Sequence, residues 1–189
     1  MSVKGTPTVE LRVITHAAMD DPDLKAAQQA AALVLATADI QMVWRTCSGD
    51  GCSEPSDGRA LLRLLLLPVA KRTDPSMCGE VVRDAGTRIA SVLVYVPRVR
   101  QIAEAIRRGS GGRAHPALFS VSTGQVAGLT IAHEVGHAFG LRHRSSGPMK
   151  AHPDPGDFIE LRAARLRFHV DEIRTLRAAL TAGESAAGK

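Results

Sequence analysis

The sequence is poor in aromatic residues and has no long hydrophobic run. Aromatic side chains make up 3% of the 189 residues, and the formal net charge is a modest +5 at pH 7. Because nucleic-acid-binding proteins usually combine clustered positive charge with aromatic stacking platforms, we expect no specific nucleic-acid partner. The longest apolar run, residues 61–70, is interrupted by Arg63 and Pro68. It is shorter than the roughly 20 residues that span a bilayer, so we expect no membrane partner either.

Cysteine is also scarce, with three residues in the chain. This number is too small for a disulfide framework, although Cys47 and Cys52 flank a short SGDG segment and could close a small loop in an oxidising compartment. The first residues lack the apolar block and the cleavage site of a secretory signal. This predicts either a cytoplasmic chain or a secreted one that has been trimmed.

The sequence predicts a single α+β domain over 1–189. Hydrophobic residues make up 44% of the chain, and it has no internal repeat and no segment of clearly different composition. Alternating or continuous apolar residues predict strands over 9–15, 40–46, 60–67 and 89–96, and a short edge strand over 79–83. Apolar residues at helical spacing predict an Ala-rich helix over 22–38 and further helices over 98–108, 123–141 and 157–182, the last broken near Phe168. The segments 47–58 and 107–116 are rich in glycine and serine and are expected to be loops.

A His-Glu-x-x-His motif lies on the predicted helix 123–141. Residues four apart share one face of a helix, so His133 and His137 can both present an imidazole nitrogen to one metal ion. Gly140 can adopt the positive-φ conformation that ends a helix and turns the chain back. His143 would then become the third ligand.

Three neutral imidazoles leave one position of a tetrahedral Zn²⁺ ion open for water, whose pKa such an ion lowers to about 7. Glu134 follows the first ligand, so its carboxylate can take a proton from this water and pass it to a leaving amine. The motif therefore predicts one catalytic zinc ion and hydrolysis of a peptide or protein substrate, with Glu134 as general base and acid. A helix with merely packed or exposed histidines is the alternative, but it does not explain a glycine where the third ligand needs the helix to stop.

With this motif the chain resembles the metzincin clan of zinc metallopeptidases. The clan motif HExxHxxGxxH is matched in full by His133, Glu134, His137, Gly140 and His143. Metzincins also have a Met-turn, whose methionine lies beneath the zinc ligands, and the Ser-Gly-Pro-Met segment ending at Met149 looks like it. The short distance from the third histidine to Met149 is most similar to matrixin-like members.

The resemblance implies a metzincin-like fold. A mixed twisted β-sheet with two main helices, the Ala-rich helix and the active-site helix, would form an N-terminal subdomain over 8–141. A small helical C-terminal subdomain with the Met-turn would follow over 142–182, with a flexible tail over 183–189. The substrate would lie extended along the edge strand at 79–83 by β-augmentation.

Some residues depart from the patterns of the clan. Arg144 follows the third histidine where matrixins place serine, and Ala151 replaces a proline of matrixins or the tyrosine ligand of astacin-like enzymes. We therefore expect no fifth protein ligand. Cys78 could reach zinc as a thiolate, but a buried or loop role is favoured. Among the other histidines, His152 alone is close enough in sequence to line the cleft.

Two other functions are compatible with parts of this pattern. A catalytically silent zinc-containing protein of the same fold would bind peptides without cutting them, but retention of Glu134 favours the hydrolase. The second alternative is a basic nucleic-acid-associated protease of another HExxH family. The third histidine and the shortage of aromatic residues argue against this assignment. We expect the chain to be a monomer.

Overall fold

The computed structural model describes residues 6–15, 19–47, 60–69, 71, 74, 76–83, 89–109 and 115–187. The described chain is α+β, with one five-stranded mixed sheet and five α-helices, which confirms the predicted fold class at this level. The strands are β1 (Thr8–Thr15), β2 (Gln41–Thr46), β3 (Ala60–Leu67), β4 (Gly79–Arg83) and β5 (Ala90–Tyr95). The helices are α1 (Asp21–Ala36), α2 (Val96–Gly109), α3 (Thr123–Ala138), α4 (Pro155–Arg162) and α5 (Val170–Ala187), and a short 3₁₀ helix spans Pro116–Ser120.

The sheet has the strand order β2-β1-β3-β5-β4. Strands β1, β2, β3 and β5 run parallel, whereas β4 pairs antiparallel with β5. Alternate residues of β1, namely Val9, Leu11 and Val13, are completely buried in the core. The five strands begin and end within one residue of their predicted positions, and β4 lies at an edge of the sheet as predicted.

Helices α1 and α3 pack closely because small residues face each other between them. The buried side of α1 includes Ala27, Ala30 and Ala31. A β-carbon added at Gly128 of α3 would lie 2.5 Å from the carbonyl oxygen of Ala27, a distance that no real side chain tolerates. The N-terminus of α3 is also tied to α1, since the backbone N–H of Gly124 donates to the carboxylate of Asp23 at 2.9 Å. This contact fixes the position of α3 over the sheet.

Two predicted helices have different bounds in the structure. Helix α1 ends at Ala36 rather than at 38, because Asp39 adopts a positive φ of 55° in the turn that leads to β2. Helix α2 begins at Val96, two residues before the predicted start. Pro97 lies in its first turn, where a missing N–H costs nothing and the fixed φ favours a helix.

The predicted C-terminal helix over 157–182 is divided into α4 and α5. The break predicted near Phe168 is confirmed, and α4 is followed by Ala164 with a φ of 55°. Helix α5 runs past the predicted end at 182 to Ala187, into the segment predicted as a tail. One glycine inside a helix costs only about 1 kcal/mol, and the alanines around Gly183 favour the helix.

Several predictions concern residues that the structure describes in part or not at all. The predicted loop at 47–58 falls largely on residues 48–59, which lie outside the described residues, as does Cys52. Cys47 is disulfide-bonded and Cys78 is free. Within the predicted loop 107–116, Arg107 to Gly109 belong to α2, and 110–114 are not described. The 3₁₀ helix that follows was not predicted.

None of the helices in the described ranges has the length and apolar character needed to cross a membrane.

The close contact between α1 and α3 gives a stability prediction. We expect Gly128→Ala to lower the free energy of unfolding by about 1–3 kcal/mol, because the added methyl group must push the two helices apart. Urea unfolding followed by circular dichroism measures this change. Gly109→Ala is the matched control, since a β-carbon there meets no atom of the described chain within 4 Å. Equal stabilities of the two variants would contradict this packing.

Candidate metal centre

Helix α3 carries two of the three candidate ligands. Its N-terminus is closed by a capping box, in which the Ser122 hydroxyl accepts from the N–H of Gln125 and the Gln125 side chain accepts from the N–H of Ser122. Most of its residues are buried in the core, but the half-buried His133 and His137 face a cavity. Four residues apart on this rigid helix, the two imidazoles meet on one face.

The chain reverses directly after α3 and brings the third ligand back. Helix α3 ends at Ala138, three residues before the predicted end, and Gly140 adopts a φ of +91°. The N–H of Leu141 donates to the carbonyl of Gly136 at 3.0 Å, and the N–H of Gly140 donates to that of His137 at 3.1 Å. These two bonds form a Schellman motif, whose positive-φ position favours glycine. The predicted role of Gly140 in ending the helix is therefore seen in the structure.

The structure brings the three predicted histidines together. One ligand atom from each of His133, His137 and His143 lies within 4.8 Å of the other two. The Nε2 atoms of His133 and His137 are 2.9 Å apart. The ring of His143 stacks at a tilt of 31° against that of His133, with 5.2 Å between their centroids.

Backbone carbonyls fix the protonation of two of these rings. Nδ1 of His133 lies 2.8 Å from the carbonyl oxygen of Pro148, and Nδ1 of His137 lies 2.8 Å from that of Leu141. A carbonyl can only accept, so each Nδ1 carries the proton and each neutral ring keeps its lone pair on Nε2. The two Nε2 lone pairs thus point toward one place. This donor set suits a cation such as Zn²⁺, for which neutral imidazole is a common ligand.

Burial favours the neutral form of His133 and of His143. Loss of solvent, helped by the nearby His137 and His143 and opposed by the bond with the Pro148 carbonyl, lowers the pKa of His133 to about 4. The pKa of His143 is also lowered, first by burial and then by His137. Since a protonated imidazole cannot bind a metal, these shifts favour metal binding at neutral pH.

Met149 lies under α3 at the end of a tight turn. Gly147 in this turn has a φ of +74°, and the N–H of Lys150 donates to its carbonyl at 3.1 Å. The Met149 side chain is completely buried. A β-carbon added at Gly136 would lie 2.5 Å from the Met149 sulfur, so this glycine allows the methionine to reach the helix between the two ligand positions. The structure thus places Met149 close to the ligands, and Pro148 in the same turn holds His133.

Glu134 lies on α3 beside the start of β4. A β-carbon at Gly79 would be 3.0 Å from Cγ of Glu134. The side chain is 6% exposed, and no hydrogen bond from a described residue reaches its carboxylate. Burial and, to a smaller extent, the negative charge of Glu80 together raise the pKa of Glu134 to about 7. A carboxyl with this pKa can both accept and release a proton near neutral pH.

The three histidines and Glu134 open into one cavity of about 880 Å³. Its other walls come from β4, from the start of α2 and from the segment after the turn at Met149, where Ala151 and His152 lie. The expectation that His152 lines the cleft is confirmed. Cys78 also lines this cavity, but burial raises the pKa of its thiol to about 11, and it is not among the clustered ligand atoms.

Sequence analysis missed a second carboxylate in this cavity. Glu80 on β4 accepts hydrogen bonds from Lys71 and from the hydroxyl of Tyr95. Burial alone would raise the pKa of Glu80, but the bonds from Lys71 and Tyr95 together lower it. The Glu80 carboxylate therefore stays charged, and its negative charge raises the pKa of Glu134 through space. Glu80 belongs to no recognisable sequence motif. Its proximity to Glu134 becomes visible only once β4 is paired into the sheet.

The structure thus brings together every predicted site residue: three histidines at one point, Glu134 in the same cavity wall, Gly140 in the reversing turn and Met149 beneath α3. No protein-family model and no curated protein sequence matches the chain.

Metal addition gives the prediction for this site. Zn²⁺ at about 100 times its dissociation constant is expected to stabilise the fold by about 2.7 kcal/mol, which corresponds to a rise in Tm of roughly 5–10 °C. Differential scanning calorimetry measures the shift, and a chelator should reverse it. His143→Ala should lose most of the shift. His152→Ala should keep it, because His152 lines the same cavity outside the ligand group. Equal shifts in both variants would contradict this ligand set.

Proposed function

We propose that this protein is a zinc-dependent endopeptidase of the matrixin-like metzincin type. The observation that carries the proposal is the convergence of two unprotonated Nε2 atoms, 2.9 Å apart, with a third histidine in a cavity that also holds Glu134. Within the described ranges no fourth ligand joins the three histidines. Three protein ligands are typical of catalytic zinc sites, whereas structural sites usually have four. The turn that buries Met149 supports the same assignment.

His133, His137 and His143 would hold the ion. When bound, Zn²⁺ acts as a Lewis acid that polarises a substrate carbonyl and lowers the pKa of a water to about 7. The carbonyl oxygens of Pro148 and Leu141 keep two of the imidazoles in the tautomer and orientation that this role requires.

Glu134 is the proton carrier in the proposed reaction. Its carboxylate takes a proton from the attacking water as the oxygen of that water bonds to the peptide carbonyl carbon. It then delivers the proton to the nitrogen of the scissile bond as the C–N bond breaks, so the carboxylate is regenerated. The absence of hydrogen bonds to Glu134 from described residues leaves both of its oxygens available for this exchange.

The edge strand β4 offers a place for the peptide backbone. Among the described strands β4 pairs only with β5, so the backbone groups of its other edge are available to an extended segment. Gly79, at the start of β4, lies against Glu134. A peptide aligned on β4 would therefore pass the carboxylate and the three histidines. This arrangement would favour cleavage within a chain rather than at its end.

The test is peptide cleavage by the zinc-loaded chain and by its Glu134→Gln variant. We expect the variant to bind zinc like the wild type but to cut a mixed peptide library about 10²–10⁴ times more slowly, because the proton carrier is lost. Mass spectrometry of the products measures cleavage. Glu104→Gln, which changes an exposed carboxylate of α2, is the matched control and should cut normally.

The same experiment separates this proposal from the silent alternative. If the wild type binds zinc and neither form cuts any peptide, the endopeptidase proposal fails and a zinc-containing peptide-binding protein becomes the better account. Equal cleavage by both forms would remove Glu134 from the mechanism.

A further inference from the structure

The loop that carries the third histidine is docked on the chain segment before α5. Ser146 Oγ and His169 Nε2 lie within hydrogen-bonding distance, 3.1 Å apart. A β-carbon added at Gly147 would lie 2.9 Å from the carbonyl oxygen of Arg167, so the two segments are in close contact. Residues 143–149, called the ligand loop below, therefore depend on residues about 25 positions further along the chain.

An ion-pair cluster lies at the centre of this contact. Arg144 pairs with the exposed carboxylate of Asp171 and with Glu172, whose Oε1 is 3.2 Å from Nε of Arg144. Glu172 is only 3% exposed. Its Oε2 accepts from the backbone N–H of His169 at 2.7 Å. Its Oε1 has no well-aligned hydrogen bond within the described ranges, so the contact with Arg144 is mainly Coulombic.

A buried carboxylate is costly without an opposite charge, and Arg144 is the cation paired with Glu172 among the described residues. The Glu172 side chain is itself fixed at the N-terminus of α5 by the bond from His169. The attraction therefore holds the side chain of Arg144, and with it the ligand loop, against a rigid helix end.

His143 has no comparable support of its own. Among the described residues no hydrogen bond reaches its ring, and the residue is exposed, in contrast to His133 and His137 with their carbonyl partners. Its direction is set by the backbone on either side. On one side the Schellman turn at Gly140 holds it, and on the other the N–H of Arg144 donates to the carbonyl of Met149 at 2.9 Å.

We propose that Arg144 is a positioning residue that, through Glu172 and Asp171, holds His143 in place for the metal. The inference rests on the proposed zinc site but not on its catalytic activity. Helix α5 would thereby set the metal affinity of a centre to which it contributes no ligand. An arginine suits this role because its planar fork can contact two carboxylates at once.

The test is the zinc affinity of the full chain, measured by competition with a chromophoric chelator. Loss of a side chain that orients a metal ligand typically weakens metal binding 10- to 100-fold, and we expect this loss for Arg144→Ala. Arg142→Ala is the matched control. It removes the same charge on the other side of His143, from an exposed side chain that makes no ion pair with the described residues. This control should bind zinc as the wild type does.

Two further variants keep the test valid if Arg144→Ala folds poorly. Arg144→Lys retains the charge that Glu172 needs but loses the fork, so we expect a folded chain with a smaller loss of affinity. In Arg144→Ala combined with Glu172→Gln, the buried charge and its partner are both removed. If the two residues act as a unit, the affinity of this double variant should be no lower than that of Arg144→Ala alone.

The absorption spectrum of the Co²⁺-loaded protein distinguishes positioning from a general loss of stability. We expect the spectrum of Arg144→Ala to shift toward that of His143→Ala, which has lost the third imidazole. An unchanged spectrum together with a zinc affinity within threefold of the wild type would overturn the proposal, as would equal losses in Arg142→Ala. If zinc binding depends on Arg144 but no peptide is cut, the positioning role stands and only the endopeptidase proposal fails. A wild-type chain that binds no zinc overturns both.

Discussion

Helix α3 ends in a left-handed turn at Gly140, and the geometry of the site depends on this turn. The Schellman hydrogen bonds from Gly140 and Leu141 satisfy carbonyls that a longer helix would have used. The same turn aims the carbonyl of Leu141 at Nδ1 of His137 and sends the chain back so that His143 faces the other two rings. One backbone conformation thus fixes the tautomer of His137 and the place of His143.

The electrostatics of the site follow from burial. Burial favours the neutral form of His133 and His143, and the Nε2 lone pairs of His133 and His137 face each other, an arrangement that a positive ion would relieve. The carboxyl of Glu134 is destabilised as an anion by the same loss of solvent and by Glu80. The pKa values of His133 and Glu134 are therefore shifted in opposite directions by one environment, because burial disfavours the charged form of each.

The sequence predicted those features that depend on local spacing. The strands, helix α3, the histidine cluster and the turn before Met149 all come from residues within a few positions of each other. The early end of α3, the continuation of α5 past Gly183 and the 3₁₀ helix were not predicted, because competing hydrogen bonds and packing decide such boundaries. The partners Glu80 and Glu172 were also missed. They reach the site through sheet pairing and through docking of α5, and neither contact leaves a motif in the sequence.

X-ray absorption spectroscopy at the zinc edge of the metal-loaded chain tests the three-histidine centre directly. We expect one zinc ion per chain, bound by three imidazoles through nitrogen at about 2.0–2.1 Å, with one further light atom and no sulfur. A sulfur neighbour at about 2.3 Å would show that Cys78, which lines the same cavity, is a ligand. That result, or a fourth imidazole, would describe a closed structural site and contradict the open three-histidine centre.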